Sequence, residues 1–98
     1  MNNIPLEFKP YFWDTQFEVL DIRANMSYII VRLYNEGDFQ QIEWLEKTYS
    51  VDDIKSVART ARGFIPIVAN YLRLKYKLNK EDMAYYRNIH SMNYVYEG

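Results

Sequence analysis

His90 is the only histidine of the 98-residue chain and cysteine is absent, so most nucleophile–base pairs and metal sites have almost nothing to be built from. No Ser or carboxylate stands at a spacing from His90 that marks a triad or a zinc site, and a packing or surface role is the expectation for it. Glu43 and Glu46 share a helix face, as a carboxylate pair for acid–base chemistry would. Lys47 lies beside them, however, and a solvated acidic face explains the same residues. Glycines stand alone at positions 37, 63 and 98, which leaves no loop to cradle a phosphate. The sequence therefore predicts a non-catalytic protein with neither cofactor nor metal.

Binding chemistry has better material. Residues 1–54 carry four basic side chains against ten acidic ones, whereas residues 55–98 carry eight against three, although the net charge is only -1. A basic half of this kind suits an anion, a nucleic acid or the acidic face of another protein. Within it, Asn70 and Arg73 have the donors and acceptors for bidentate contacts to adenine and guanine, and Arg62, Lys75 and Lys77 can pair with phosphates. The competing material is aromatic: ten Tyr, five Phe and two Trp exceed what a small helical core requires. Tyr85, Tyr86, Tyr94 and Tyr96 are accordingly candidates for a protein interface, with a partner protein or a second copy of the chain.

Positioning these groups falls to helices. Met26, Ile29, Ile30, Leu33 and Tyr34 recur at helical spacing and predict a first helix from about Asn25 to Glu36. Gly37 is expected to close it in the left-handed conformation, after which Asp38 caps a second helix, 38–49, with Gln41 completing a capping box. Phe39, Ile42, Leu45 and Tyr49 form its expected inward face. Trp44 projects off that face and needs a second cover. The N-terminal arm, residues 1–22, is the candidate, with the aromatic C-terminal tail as the alternative. Pro5 and Pro10 predict an extended arm with a short turn, yet Phe8, Phe12, Trp13 and Phe17 make it too apolar to stay unpacked.

Ser50 and Asp53 repeat the capping box before a third helix whose apolar face is Val51, Ile54, Val57, Ala58 and Ala61 and which ends at Gly63. Pro66 suits the first turn of a fourth helix, expected to bury Ile67, Val68, Tyr71, Leu72, Leu74 and Leu78 while Asn70, Arg73 and Lys77 face solvent. The pair 51–62 and 66–77 has the outline of a helix-turn-helix, with Gly63 at the turn. Arg59 and Arg62 fall where that motif wants a small and an apolar residue. Asn79 and Asp82 predict the start of a fifth helix running to about Arg87, and residues 88–98 have no clear preference.

Pro10, Phe12-Trp13-Asp14, Leu20-Asp21, Tyr28-Ile29-Ile30 with Arg32, Gly37-Asp38, Trp44-Leu45 and Tyr49 resemble the signature of an uncharacterised family of short bacterial helical proteins, a domain of unknown function. Members are often encoded beside nucleotidyltransferase-type toxins of abortive-infection systems, so the resemblance implies an antitoxin or regulator. It covers the first half of the chain. The second half departs at Arg62-Gly63-Phe64-Ile65-Pro66, where the family has a basic, Ser-containing turn.

These patterns predict one all-α domain over residues 1–98, of about five short helices with a packed aromatic arm, and Trp13, Gly37, Asp38, Trp44 and Gly63 as its structural residues. No apolar run approaches the roughly 20 residues of a membrane helix, and the first residues lack the basic and long apolar segments of a signal peptide, so a cytoplasmic location is expected. The leading functional expectation is a small protein-interaction or regulatory module, antitoxin-like by resemblance. The alternative is sequence-specific DNA binding through 51–77.

Overall fold

The structure is a computed structural model and describes residues 3–87. Its class is all-α: four α-helices and three short 3-10 helices are the regular elements among the described residues. The chain falls into two compact units, Met1–Tyr49 and Ser50–Gly98.

The first unit begins with a 3-10 helix, Leu6–Phe12, rather than the extended arm the prolines suggest. Pro5 stands outside as its N-terminal flank, and Pro10 is an exposed residue within it. The fixed φ of proline matches 3-10 geometry, so a short, irregular helix tolerates the missing donor that would break a long one. A turn at Trp13 leads to a second 3-10 helix, Phe17–Val19, and the exposed Lys9–Glu18 ion pair at 2.7 Å ties the two segments together. Asp21 then stops the chain. Its Oδ2 accepts hydrogen bonds from the amides of Arg23 and Ala24 at 2.9 and 2.7 Å, which turns the backbone into helix α1, Met26–Glu36.

Helix α1 buries Ile29, Ile30, Leu33 and Tyr34, as its spacing predicts, against the Leu6–Phe12 helix and helix α2, Phe39–Thr48. The junction differs from expectation. Gly37 is extended, at φ -82° and ψ 164°, and not left-handed. Glycine is needed there for room: a Cβ would lie 2.5 Å from the Leu33 carbonyl oxygen and 2.7 Å from Cβ of Gln41. The capping box forms as predicted, with the Asp38 amide donating to Gln41 Oε1 at 2.7 Å, and this holds the Gln41 side chain in a buried position.

Burying Gln41 turns α2 relative to its apolar residues. Leu45 and Tyr49 are buried, but Phe39, about 120° from Leu45 at 100° per residue, is 80% exposed. Trp44 therefore lies nearer the packed side than its sequence neighbours imply. Its half-buried ring meets Phe8 of the arm edge-on at 5.6 Å and Tyr49 at 6.2 Å. The arm is its cover, as expected. Two hydroxyls complete the unit: Tyr34 donates to Glu46 Oε2 at 3.0 Å and Tyr49 to the Ile22 carbonyl at 2.9 Å.

The second unit opens with α3, Val51–Thr60, whose predicted capping box is present: Ser50 Oγ accepts from the Asp53 amide at 3.0 Å and Asp53 Oδ2 from the Ser50 amide at 3.2 Å. Ile54, Val57 and Ala58 are buried while Val51 is exposed, and the helix stops at Thr60, short of Gly63. Residues 61–65 connect it to α4, Pro66–Lys75, which packs on α3 through Val68, Ala69 and Leu72. Pro66 occupies the first turn as predicted, but the helix ends two residues early. Lys77 takes the left-handed conformation, φ 56°, and the Leu78 amide reaches back to the Arg73 carbonyl at 2.9 Å. That bond pattern closes a helix, and Leu78 is buried beneath it.

The predicted fifth helix is broken. Lys80–Asp82 is a single 3-10 turn, and Met83 is extended and fully buried before helical backbone resumes at residues 84–87. Burial of Met83 diverts the backbone at the point where a continuous helix would keep it on the surface.

Candidate functional site

Tyr28 and Arg32 stand four residues apart on α1, and the turn after the first 3-10 helix brings Asp14 onto both of them. The Tyr28 hydroxyl donates to Asp14 Oδ1 at 2.8 Å and Arg32 Nη2 to Oδ2 at 2.6 Å, so each carboxylate oxygen has a strong donor. Arg32 Nη1 donates to the Tyr11 carbonyl at 3.3 Å, and Nε faces Glu36 at 3.7 Å. Only 14% of the Arg32 side chain remains exposed. Its guanidinium lies 5.3 Å from the centre of the Tyr28 ring and 5.7 Å from that of Trp13. Trp13 itself, expected to pack inward with the arm, is 74% exposed. A rigid ion pair thus carries a large aromatic ring on the surface.

The hydrogen bond from Arg32, and then that from Tyr28, hold the Asp14 carboxyl below its ordinary range. Desolvation and the Asp14 hydrogen bond push Tyr28 up, and the Asp14 bond raises Arg32. Because the folded carboxyl titrates below the unfolded one, near pH 3.9, the network contributes fully above that value and its contribution is lost as pH falls through the depressed one. Thermal midpoints taken from pH 5 down to pH 2 should fall, and Asp14→Asn should flatten part of that fall. Glu18, lowered by its bond from Lys9, is the control, since Glu18→Gln should remove a separate part.

The predicted nucleic-acid residues do not form one reading surface. Arg62 is exposed in the connection before α4. Arg73 Nη2 donates to Asn70 Oδ1 at 3.0 Å, so the two expected base readers engage each other, and Arg73 is half-buried. Lys75 donates to the Tyr71 hydroxyl at 3.2 Å and lies over the rings of Tyr71 and Tyr76 at 5.6 and 5.7 Å. Lys77 serves as the left-handed residue closing α4. The residues of α4 expected to be buried include three that are exposed: Ile67 at 75%, Leu74 at 59% and Tyr71 at 41%.

A family model described as a family of unknown function (DUF6922) matches residues 7–58, more than half of the chain. The chain belongs to this family. Neither the curated proteins nor the solved structures offer a match. The DUF6922 segment contains Trp13, Asp14, Tyr28 and Arg32, together with Gly37, Asp38 and Trp44, whereas α4 lies beyond it.

Tyr85, a candidate interface residue, is instead buried, its hydroxyl pushed up by desolvation, and its ring meets Tyr86 edge-on at 5.0 Å. Tyr86 is half-buried under the Lys80 ammonium. Tyr94, Tyr96 and His90 lie outside the described residues. Glu43 and Glu46 have separate partners, Lys47 at 4.0 Å and the Tyr34 hydroxyl at 3.0 Å. Among the described residues no group of three or more His, Asp or Glu could hold a metal, and no helix is long and apolar enough to cross a membrane.

Sequence reasoning treated Asp14 as a turn residue and overlooked Arg32. The available signal was Tyr28 and Arg32 at i, i+4 on α1, a pair that needs an acceptor from another segment.

Proposed function

We propose that this member of DUF6922 is a non-catalytic protein-interaction module with Trp13 as its anchor. One observation carries the reading: Trp13 is 74% exposed yet fixed by the Arg32 guanidinium beneath it. Ordering a side chain at an interface opposes binding, and a ring already held in place avoids much of that loss. Tryptophan is also the residue type most enriched among those that dominate interface energy. An antitoxin-like regulator in the bacterial cytoplasm, which the sequence resemblance implies, would use such an anchor to cover its toxin.

Sequence-specific DNA binding by 51–77 has less support. Residues 61–65 make a longer connection than the three or four residues of a helix-turn-helix, and the outer side of α4 offers Ile67 and Leu74 where base-reading groups belong.

The test is capture of partners from the native host by the full chain and by its Trp13→Ala variant, read by mass spectrometry and followed by titration. Removing the anchor should weaken the captured partner by about 30-fold or more, equivalent to about 2 kcal/mol. The thermal midpoint should barely move, because exposed substitutions change stability by about 0.5 kcal/mol. Equal capture by both proteins would remove Trp13 from the interface. Binding of host DNA fragments at low salt, weakening steeply as salt rises, would favour the DNA alternative.

A further inference from the structure

Helix α4 has two apolar sides. Val68, Ala69 and Leu72 face α3, while Ile67, Tyr71 and Leu74 follow the i, i+4, i+7 spacing on the exposed side. The exposed row covers about 10 Å of helix at 1.5 Å per residue. At 100° per residue, Asn70 and Arg73 border it on one edge and Lys75 on the other. No acidic residue occurs on α4, and the exposed Arg59, Arg62, Lys77 and Lys80 extend the cationic surroundings of the same unit. An apolar row between positive edges selects for its complement.

We infer that this side of α4 docks an amphipathic helix of a partner protein, one with apolar residues at i, i+4, i+7 and carboxylates along both edges. Ridges on one helix fit the grooves of another, so two such rows pack while their edges pair charges. Arg73 supplies an independent sign of a missing acceptor: its Nε is buried with no hydrogen-bond partner, although Nη2 donates to Asn70. A carboxylate at that edge gives the guanidinium the acceptor that Asn70 alone does not. An anionic lipid surface fits less well, because α4 offers only three exposed apolar side chains over two turns. The inference shares with the proposed function only the class of partner, and its residues are separate from Trp13, so either can fail alone.

The probe is a labelled synthetic helix of 14 residues, with Leu at i, i+4, i+7 and Glu on both edges, titrated against the full 98-residue chain by fluorescence anisotropy. Its counterpart carries Lys in place of Glu. The Glu peptide should bind, more weakly as salt rises, and the Lys peptide at least about tenfold less well. Ile67→Asp and Leu74→Asp should each reduce binding by about tenfold or more, since burying one large aliphatic side chain is worth that factor. Both sites are exposed, so circular dichroism should match the parent. Trp13→Ala should bind the peptide as the parent does, which separates this surface from the other. No binding, equal binding of the two peptides, or indifference to Ile67→Asp would overturn the inference. So would a sedimenting dimer that Ile67→Asp converts to monomer, which assigns the face to a second copy, or vesicles of phosphatidylserine bound more tightly than the Glu peptide.

Discussion

Phe8→Ala and Phe12→Ala should each lower stability by about 3–5 kcal/mol, the range for removing a large aromatic side chain from a packed core. Both side chains are 1% exposed, and they join the arm to different parts of its unit. Phe8 meets Trp44 of α2 edge-on at 5.6 Å, while Phe12 contacts Phe17 at 5.8 Å and Tyr28 of α1 at 6.0 Å. Small domains have roughly 5–15 kcal/mol in total, so either variant should approach the unfolding threshold and deletion of residues 1–16, which removes both, should cross it. Leu6→Ala, at a residue 72% exposed in the same 3-10 helix, should shift stability by no more than about 0.5 kcal/mol. Urea unfolding followed by Trp44 fluorescence, in a Trp13→Phe background, reads the effect. A Phe8→Ala protein with the parent's midpoint would mean that the arm contributes little and that Trp44 is held by α1 and Tyr49 instead.

The features legible in the sequence were those set by neighbours along the chain. Asp38 with Gln41 and Ser50 with Asp53 satisfy amides three residues apart, and Pro66 removes a donor that a first turn does not use. The inward side of α1 was legible because its apolar residues occupy one stripe. Helix α4 has apolar residues around more than half its circumference, and periodicity says which of them share a side without saying which side has a neighbour. Ile67 and Leu74 were misplaced for that reason, and Phe39 because burial of Gln41 decides the rotation of α2. Asp14 and Arg32 are 18 residues apart and meet only because the arm folds back over α1. Local pattern contains no such information. A proline-bearing arm likewise reads as extended unless its aromatic residues are required to pack on something.

Gly37→Ala should destabilise the chain by about 1–3 kcal/mol through crowding alone. At φ -82° and ψ 164° the backbone is one that alanine adopts freely, and in the unfolded chain alanine has fewer conformations to lose, which by itself would stabilise by about 0.4–1 kcal/mol. Opposing this, the new methyl would stand 2.5 Å from the Leu33 carbonyl oxygen and 2.7 Å from Cβ of Gln41. Neither can yield cheaply. The Leu33 carbonyl accepts the Gly37 amide at 2.9 Å as the closing bond of α1, and Gln41 is held by its bond from the Asp38 amide at the start of α2. Relief at one contact therefore opens either the end of one helix or the cap of the next. Asp38→Ala combined with Gly37→Ala should then destabilise by less than the sum of the two single changes, because releasing the cap lets Gln41 move. Chemical denaturation of the two single variants and the double variant measures this coupling, and a Gly37→Ala protein as stable as the parent would show that the helix junction has slack its close contacts do not suggest.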